Sequence, residues 1–270
     1  MELYEKLDNL KNDLKSMGSI AIAFSGGVDS TFLLRVAYDV LGDKVLAVTA
    51  RSSTFPQREY KEALDFVKSL GVKHKTIVSE ELEIEGFSDN PANRCYFCKY
   101  ELFSKILDEA RNENMEFVAD GSNIDDLGDY RPGLKAIDEL RVVSPLKKAI
   151  MTKEDIRILS KEMGLKTWDK PAFACLASRF PYGQKITADK LKMVEQAEQY
   201  LLDLGFRQVR VRHHGDVARI EVSSNERTKF FDEKLMDEVG KRFKDIGFAY
   251  SALDFMGYRT GSMNETLDRE

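Results

Sequence analysis

Cysteine is scarce in this 270-residue chain, long apolar runs are missing, and basic residues are not in excess. The 3 cysteines are an odd number, which argues against the disulfide framework that staples small secreted domains. No apolar run approaches the ~18 residues a membrane-crossing helix needs. Lys+Arg number 41 against 46 Asp+Glu, a net charge of −5, which argues against binding nucleic acid through bulk positive charge. The first residues, MELYEKLDNLKNDLKSM, are charged and helical in pattern, not an apolar core behind a basic start. No secretory signal is therefore expected, and the expected location is cytoplasmic.

With 43% hydrophobic and 32% charged residues, the composition is that of a soluble globular protein. The length leaves room for one large domain or two moderate ones. Leu3, Leu7, Leu10 and Leu14 recur at helical spacing up to Gly18. A short apolar strand at 20–24 then feeds SGGVDS and a helical segment. Strands at 44–50 and 72–78, helices at 57–70 and 96–112, and a strand in MEFVADGS continue the alternation. Alternating strands and helices with short connections imply a doubly wound parallel α/β sheet with ligands at the carboxyl ends of its strands. Those ends carry SGGVDS, ARSSTF and DGSNIDD. A helix capped by Thr152 precedes TWDKPAFACLASRFPYG, where periodicity fades and a domain junction is expected. Beyond Thr187 the pattern reads helix, two strands joined through HGD, helix, and a last strand near 248–255, a small α+β module. The expected division is 1–180 and 181–270.

SGGVDS lies between a strand and a helix, so its backbone N–H groups and the helix N-terminus form an anion site. Gly26 and Gly27 allow close approach of a phosphate, and Ser25 and Ser30 add hydroxyl donors. Asp29 suits an anion pocket when a divalent cation accompanies the phosphate, which points to a nucleotide with Mg²⁺. The G-x-x-x-x-G-K-[ST] loop of kinases and GTPases is missing. A plain tight βα turn is the bland alternative. In GSNIDDLGDYRPG, Gly121 ends a strand, and Asp125, Asp126 and Asp129 follow in a loop suited either to Mg²⁺ or simply to solvent. Arg131 in that loop is a candidate partner for a phosphate or carboxylate.

Cys95 and Cys98 open a predicted helix, where the helix N-terminus, Arg94 and Lys99 favour a thiolate. Cys175 lies in the loop KPAFACLASRF. Four readings are open: inert buried thiols, a thioredoxin-like redox pair, a Cys₃His zinc site, and an iron-sulfur cluster on three cysteines with one iron open to a sulfide. His74, His213 and His214 stand at no ligand-like spacing to any cysteine, which weakens the zinc reading. In QVRVRHHGD, period-2 alternation puts Arg210, Arg212 and His214 on one strand face. That face is either solvated or an anion site fitted to a phosphate. Arg179 follows Cys175 by four residues and is a candidate partner for the same anion.

SGGVDS in this setting resembles the pyrophosphate loop of the PP-loop ATP pyrophosphatases, which include GMP synthetase, NAD synthetase, argininosuccinate synthetase and tRNA thiolases. Together SGGVDS, NRCYFCK, DGSNIDDLGDYRPGLKA, SPL, KPAFACLASRFPYG and VRVRHHGDVARIEV resemble the LarE-type sulfur transferases of nickel-pincer nucleotide biosynthesis, over nearly the whole chain. The resemblance implies adenylation of the carboxylates of a pyridinium mononucleotide by ATP, loss of pyrophosphate, and conversion to thiocarboxylates. It places pyrophosphate on Ser25, Gly26, Gly27, Asp29 and Ser30 and substrate phosphate on Arg210 and Arg212; the residues themselves add Gly121 beside the phosphates, Arg179 and Arg131 as partners for phosphate or carboxylate, and Asp29, Asp125 and Asp126 for Mg²⁺. Members with one cysteine, at the position of Cys175, sacrifice its sulfur. Members that add the CxxC are thought to hold a 4Fe-4S cluster, here on Cys95, Cys98 and Cys175, fed by a sulfide donor. Homo-oligomers are the family's habit. The resemblance leaves three alternatives: a tRNA thiolase, disfavoured by the acidic charge; an amidating synthetase, which needs no cysteines; and a nucleotide-binding regulatory module.

Overall fold

The computed structural model describes residues 1–128, 132–172, 174–259 and 261–263. The chain forms two compact units: Met1–Glu81 with Asn93–Phe173, and Leu82–Ala92 with Ala174–Glu270. No helix among the described residues is long and apolar enough to cross a membrane.

The first unit runs α1 (Leu3–Met17), β1 (Ile20–Ala23), α2 (Val28–Leu41), β2 (Val45–Arg51), α3 (Gln57–Leu70), β3 (Lys73–Val78), α4 (Arg94–Asn112), β4 (Phe117–Ala119), α5 (Gly133–Glu139), α6 (Pro145–Lys148) and α7 (Lys153–Glu162). Its four strands are parallel in the order β3-β2-β1-β4, with Ile20 opposite both Val45 and Phe117. The alternation along each strand supplies two cores. Ile20, Ile22, Val45 and Ala47 face Leu10, Leu14, Phe32, Leu33, Ile156 and Leu159. Ala21, Leu46, Val48 and Val118 face Phe103, Ile106 and Ile137. A central parallel strand is thus apolar on both sides, the reason residues 20–24 read as an unbroken apolar run. The crossovers place the start of α2 at the carboxyl end of β1, at the centre of the sheet. Thr152 caps α7 as expected, accepting from the Asp155 N–H while Asp155 accepts from the Thr152 N–H.

The second unit holds α8 (Ala188–Asp203), β5 (Val209–His214), β6 (Val217–Val222), α9 (Glu233–Ile246) and β7 (Tyr250–Leu253). β5 and β6 form an antiparallel hairpin turned at Gly215, whose φ is +63°, and β7 joins β6 in parallel. Val209, Val211, Ile220 and Val222 are buried, as are Leu191, Val194, Ala197 and Leu201 of α8 and Val239 and Phe243 of α9. Segment Leu82–Ala92 joins this unit through buried Asn90, whose side-chain amide donates to the carbonyls of Phe180 and Pro181 (3.2 and 2.7 Å). Asn90 adopts φ +57°, in the left-handed region that asparagine tolerates.

Candidate functional site

In the first unit the turn from β1 into α2 carries the phosphate loop. Gly26 has φ +67°, and a Cβ there would meet the Cβ of Ala63 on α3 at 3.1 Å. Only glycine fits both the dihedral and the close approach. Gly27 is the N-cap of α2, and Thr31 is the first residue whose N–H the helix takes, donating to the Gly27 carbonyl (3.0 Å). The N–H groups of Val28, Asp29 and Ser30 have no intrahelical acceptor and give the helix its positive end. Ser25 and Ser30 face each other, hydroxyl to hydroxyl at 3.2 Å. The loop after β4 closes on this turn: a Cβ on Gly121 would sit 3.2 Å from the Ser30 nitrogen. Ser25, Gly26, Gly27, Asp29, Ser30 and Gly121 therefore belong to one place in the structure.

The Asp29 carboxylate already faces a cation. Lys153, the first residue of α7, forms an ion pair with Oδ2, and Asn123 donates to Oδ1 (3.2 Å). Asp125 accepts from the Lys153 backbone N–H (2.8 Å), and Asp126 accepts from the Asn123 N–H (3.0 Å). The two loop aspartates thus brace the chain around Asn123 and Lys153, while Asp29 is the carboxylate that pairs with the Lys153 ammonium. A Mg²⁺ brought with ATP phosphates fits this carboxylate in charge, with Lys153 as its stand-in. Asp129 and Arg131 lie outside the described residues.

Cys95 and Cys98 lie on the first turn of α4, three residues apart and so on one face. Cys95 is exposed and Cys98 half-buried, and neither is in a disulfide. α5 abuts this turn at Gly133, where a Cβ would stand 3.1 Å from the Cys95 carbonyl oxygen. The Cys98 thiol donates to Glu81 Oε1 at 3.8 Å. Glu81 is buried, which pushes its carboxyl up against the lowering effect of hydrogen bonds from its own backbone and from Ser52 and Thr54. Cys175, in the second unit, is an exposed free thiol at the N-cap of a short 3₁₀ turn, Leu176–Arg179. Its carbonyl is held by Ser178 Oγ (2.8 Å) and by Arg179 Nη1 (3.1 Å). Three reduced thiols with access to solvent match the donor chemistry of a three-thiolate cluster. Among the described residues no three His, Cys, Asp or Glu side chains are gathered as a metal site.

Arg179, Arg210 and Arg212 of the second unit are buried, so the face bearing Arg210 and Arg212 is not a solvated one. Arg179, 0% exposed, forms a bidentate pair with Glu198 of α8, both contacts at 2.8 Å. Burial opposes its charge, but Glu198 outweighs that and raises it. Arg212 donates to Glu221 Oε2 (2.8 Å), to the Ser178 carbonyl (2.9 Å) and to Ser262 Oγ (3.1 Å). Its Nε is buried with no hydrogen-bond partner. Arg219 shares Glu221 from the other side (2.9 Å). Arg210 lies over the Tyr258 ring at 5.1 Å. It is pushed down to about 10 by burial and by the charge of Arg179, with Glu198 and Tyr258 offsetting only part. Four guanidinium groups thus share two buried glutamates. Asp254 also faces Arg219, at 3.5 Å.

Glu198, Glu221, Lys153 and Asn123 were not among the sequence candidates. Each is bound to a candidate residue; Asn123 and Glu221 lie in quoted motifs, whereas Glu198 and Lys153 lie on helices outside them.

A family model described as NAD synthase matches residues 3–92, the stretch that carries the phosphate loop. The pyridinium-3,5-bisthiocarboxylic acid mononucleotide synthase of Lactiplantibacillus plantarum is 40% identical over 257 residues, covering 95% of this chain and 92% of that protein. An uncharacterised protein of Synechocystis is 41% identical over 99% of this chain and 100% of its own length. One component of the glutamine-hydrolysing GMP synthase of Thermoplasma acidophilum is 27% identical over 73% of this chain and 68% of its own length. The family model is confined to the stretch with the phosphate loop, whereas the likenesses at the 40% level span 95% or more of the chain. With a phosphate loop on a parallel sheet and near end-to-end likeness to a thiocarboxylate-forming synthase, this chain belongs to the LarE-type ATP-dependent sulfur transferases of the PP-loop family.

Proposed function

We propose that the chain adenylates the carboxylates of pyridinium-3,5-biscarboxylic acid mononucleotide and converts them to thiocarboxylates, a step of nickel-pincer nucleotide biosynthesis. The observation that carries this reading is the 40% identity to the synthase of that bisthiocarboxylic acid over 95% of the chain. The PP-loop geometry and the anion-seeking arginines agree with it. A carboxylate oxygen attacks the α-phosphorus of ATP and pyrophosphate leaves. The N–H groups at the start of α2, with Ser25 and Ser30, hold the departing pyrophosphate. Mg²⁺, when bound with ATP at Asp29, neutralises phosphate charge. Arg210 and Arg212 take the phosphate of the mononucleotide, and Arg179, locked by Glu198, holds the backbone of Cys175 in place. Sulfur then displaces AMP from the acyl carbon. A 4Fe-4S cluster on Cys95, Cys98 and Cys175 would supply an open iron to bind and deliver sulfide from a donor. We read the enzyme as a cytoplasmic homo-oligomer that works without nucleic acid.

The test is anaerobic purification with iron, acid-labile sulfide and pyrophosphate release measured together, on the unaltered chain and on Cys95→Ala. Four iron and four sulfide per chain are expected of a 4Fe-4S cluster, lost in the variant, with thiocarboxylate formed over many turnovers. An iron-free chain that makes product once and loses one sulfur at Cys175 would overturn the cluster and leave the sacrificial route. Unchanged turnover with all three cysteines replaced by alanine would overturn sulfur transfer itself.

A further inference from the structure

Lys170 opens the segment KPAFACLASRF and has no role in the site described above, yet its ammonium stands against the phosphate loop. Lys170 Nζ donates to the Gly26 carbonyl at 3.2 Å. It also pairs with Glu59 Oε2 at 2.7 Å and Glu62 Oε2 at 2.8 Å, both on α3. An ammonium has three donors, and three acceptors surround this one. The Lys170 side chain is 13% exposed and that of Glu59 only 5%, so this pair lies largely away from water, while the Glu62 side chain is 42% exposed. Burial pushes Glu59 up, with Lys170 working against it.

The position of the Gly26 carbonyl decides what the loop presents. Gly26 and Gly27 flank one peptide unit, and neither has a Cβ to hinder its rotation. Rotated one way, the unit sends its carbonyl to α3 and leaves the phosphate side to N–H groups. Rotated the other way, it turns a carbonyl oxygen towards an anion, which is repulsive. Gly26 also rests on Ala63, one residue after Glu62, so α3 is the floor to which the carbonyl is tied. Glu59 and Glu62 beside a polyphosphate site would by themselves repel it. Lys170 removes one of those two charges and provides the latch.

We propose that Lys170 is a positioning residue of the pyrophosphate site, fixing the Gly26–Gly27 peptide to Glu59 and Glu62 of α3 so that the loop keeps its N–H groups towards the phosphates. The proposal rests on the reading of SGGVDS as a phosphate site and adds a residue 144 positions away in sequence. It assigns a role specific to phosphate, with the adenosine portion of the nucleotide bound by other residues.

The test is calorimetric titration of the full chain with pyrophosphate and, separately, AMP, both with Mg²⁺, for wild type, Lys170→Met, Lys170→Arg and Glu59→Gln. Lys170→Met is expected to weaken pyrophosphate about tenfold or more, the worth of one charge-assisted hydrogen bond, while AMP stays within about twofold. Lys170→Arg keeps a charged donor and is expected to recover most of the pyrophosphate affinity. Glu59→Gln loosens the latch without removing the ammonium and is expected to weaken pyrophosphate selectively, which decides the matter should Lys170→Met fail to fold. Unchanged pyrophosphate affinity, or equal losses of pyrophosphate and AMP, would overturn the proposal while leaving the phosphate site intact. Failure of the unaltered chain to bind pyrophosphate at all would overturn the phosphate-site reading, and this proposal with it.

Discussion

The two units build their candidate anion sites by different means. The first uses backbone: unsatisfied N–H groups at the start of α2, a glycine turn, and charged side chains kept to the flanks at Lys153 and Lys170. The second uses side-chain charge: buried Arg179, Arg210 and Arg212, with half-buried Arg219, arranged around Glu198 and Glu221. A backbone site costs little to desolvate, because the N–H groups exist whether or not a ligand comes. A site of buried guanidinium groups is costly unless each is paired, and Arg210 carries that cost, pushed down by burial and by Arg179. The second therefore depends on its glutamates for stability.

That dependence is strongest at Glu198. Glu198→Gln leaves the fully buried Arg179 without a counter-charge: the amide oxygen can still accept from the Val211 N–H (2.9 Å), but an NH₂ donor then faces Arg179 Nη2 in place of Oε2 (2.8 Å). The expected cost is about 3–5 kcal/mol, read from the urea midpoint of unfolding. A loss under about 1 kcal/mol would mean that the cluster is compensated from elsewhere and that the contrast between the units is false.

At the phosphate loop the balance reverses. Gly26→Ala forces a Cβ to within 3.1 Å of Ala63 at φ +67°, so the loop must shift. Strain of this kind costs about 1–3 kcal/mol. Pyrophosphate release from ATP should fall far more, by about 100-fold, because the N–H groups lose their aim. A variant that releases pyrophosphate at the wild-type rate would show that the loop is an ordinary turn.

Arg210→Met sharpens the comparison from the other side. Removing a guanidinium that lies beside Arg179 should leave stability unchanged or raise it by about 1 kcal/mol. The same change should weaken the mononucleotide substrate about tenfold or more through its phosphate. A site kept unstable for a ligand gives that opposition, whereas a plain structural arginine would lose stability and leave affinity alone.

The difference between the units also decides what the sequence reveals. The phosphate loop is six consecutive residues between a strand and a helix, so its parts appear together in the chain. Its partners do not: Lys153 pairs with Asp29 across 124 positions. The arginine cluster was half visible. Alternation in QVRVRHH placed Arg210 and Arg212 on one face, but burial of that face depends on Glu198, 13 positions before Val211, and on Glu221 across the hairpin. A glutamate on an amphipathic helix reads as solvent-facing unless its partner is known. Segment Leu82–Ala92 was invisible for a similar reason, since its attachment rests on Asn90 reaching carbonyls about 90 residues later. The three cysteines were plain in sequence because chemistry, not packing, singles them out.

The smallest expected effect concerns the support of the phosphate loop on α7. Asp155 closes the cap of that helix with Thr152 and pairs with Lys6 at 2.6 Å. Burial raises its carboxyl, but Lys6 and the hydrogen bonds with Thr152 outweigh this and hold it below the usual aspartate range. A carboxyl depressed in the folded state contributes stability that is present above its unfolded pKa and fades as pH falls through the folded value. Asp155→Asn should therefore cost about 0.5–1 kcal/mol at pH 7 and almost nothing near pH 2, measured as paired urea curves. Lys153, the residue after Thr152, carries this support to Asp29. If the loop is a backbone device, pyrophosphate affinity should follow Gly26→Ala closely and Asp155→Asn hardly at all. Equal losses in the two variants would mean that the first unit, like the second, depends on its paired charges.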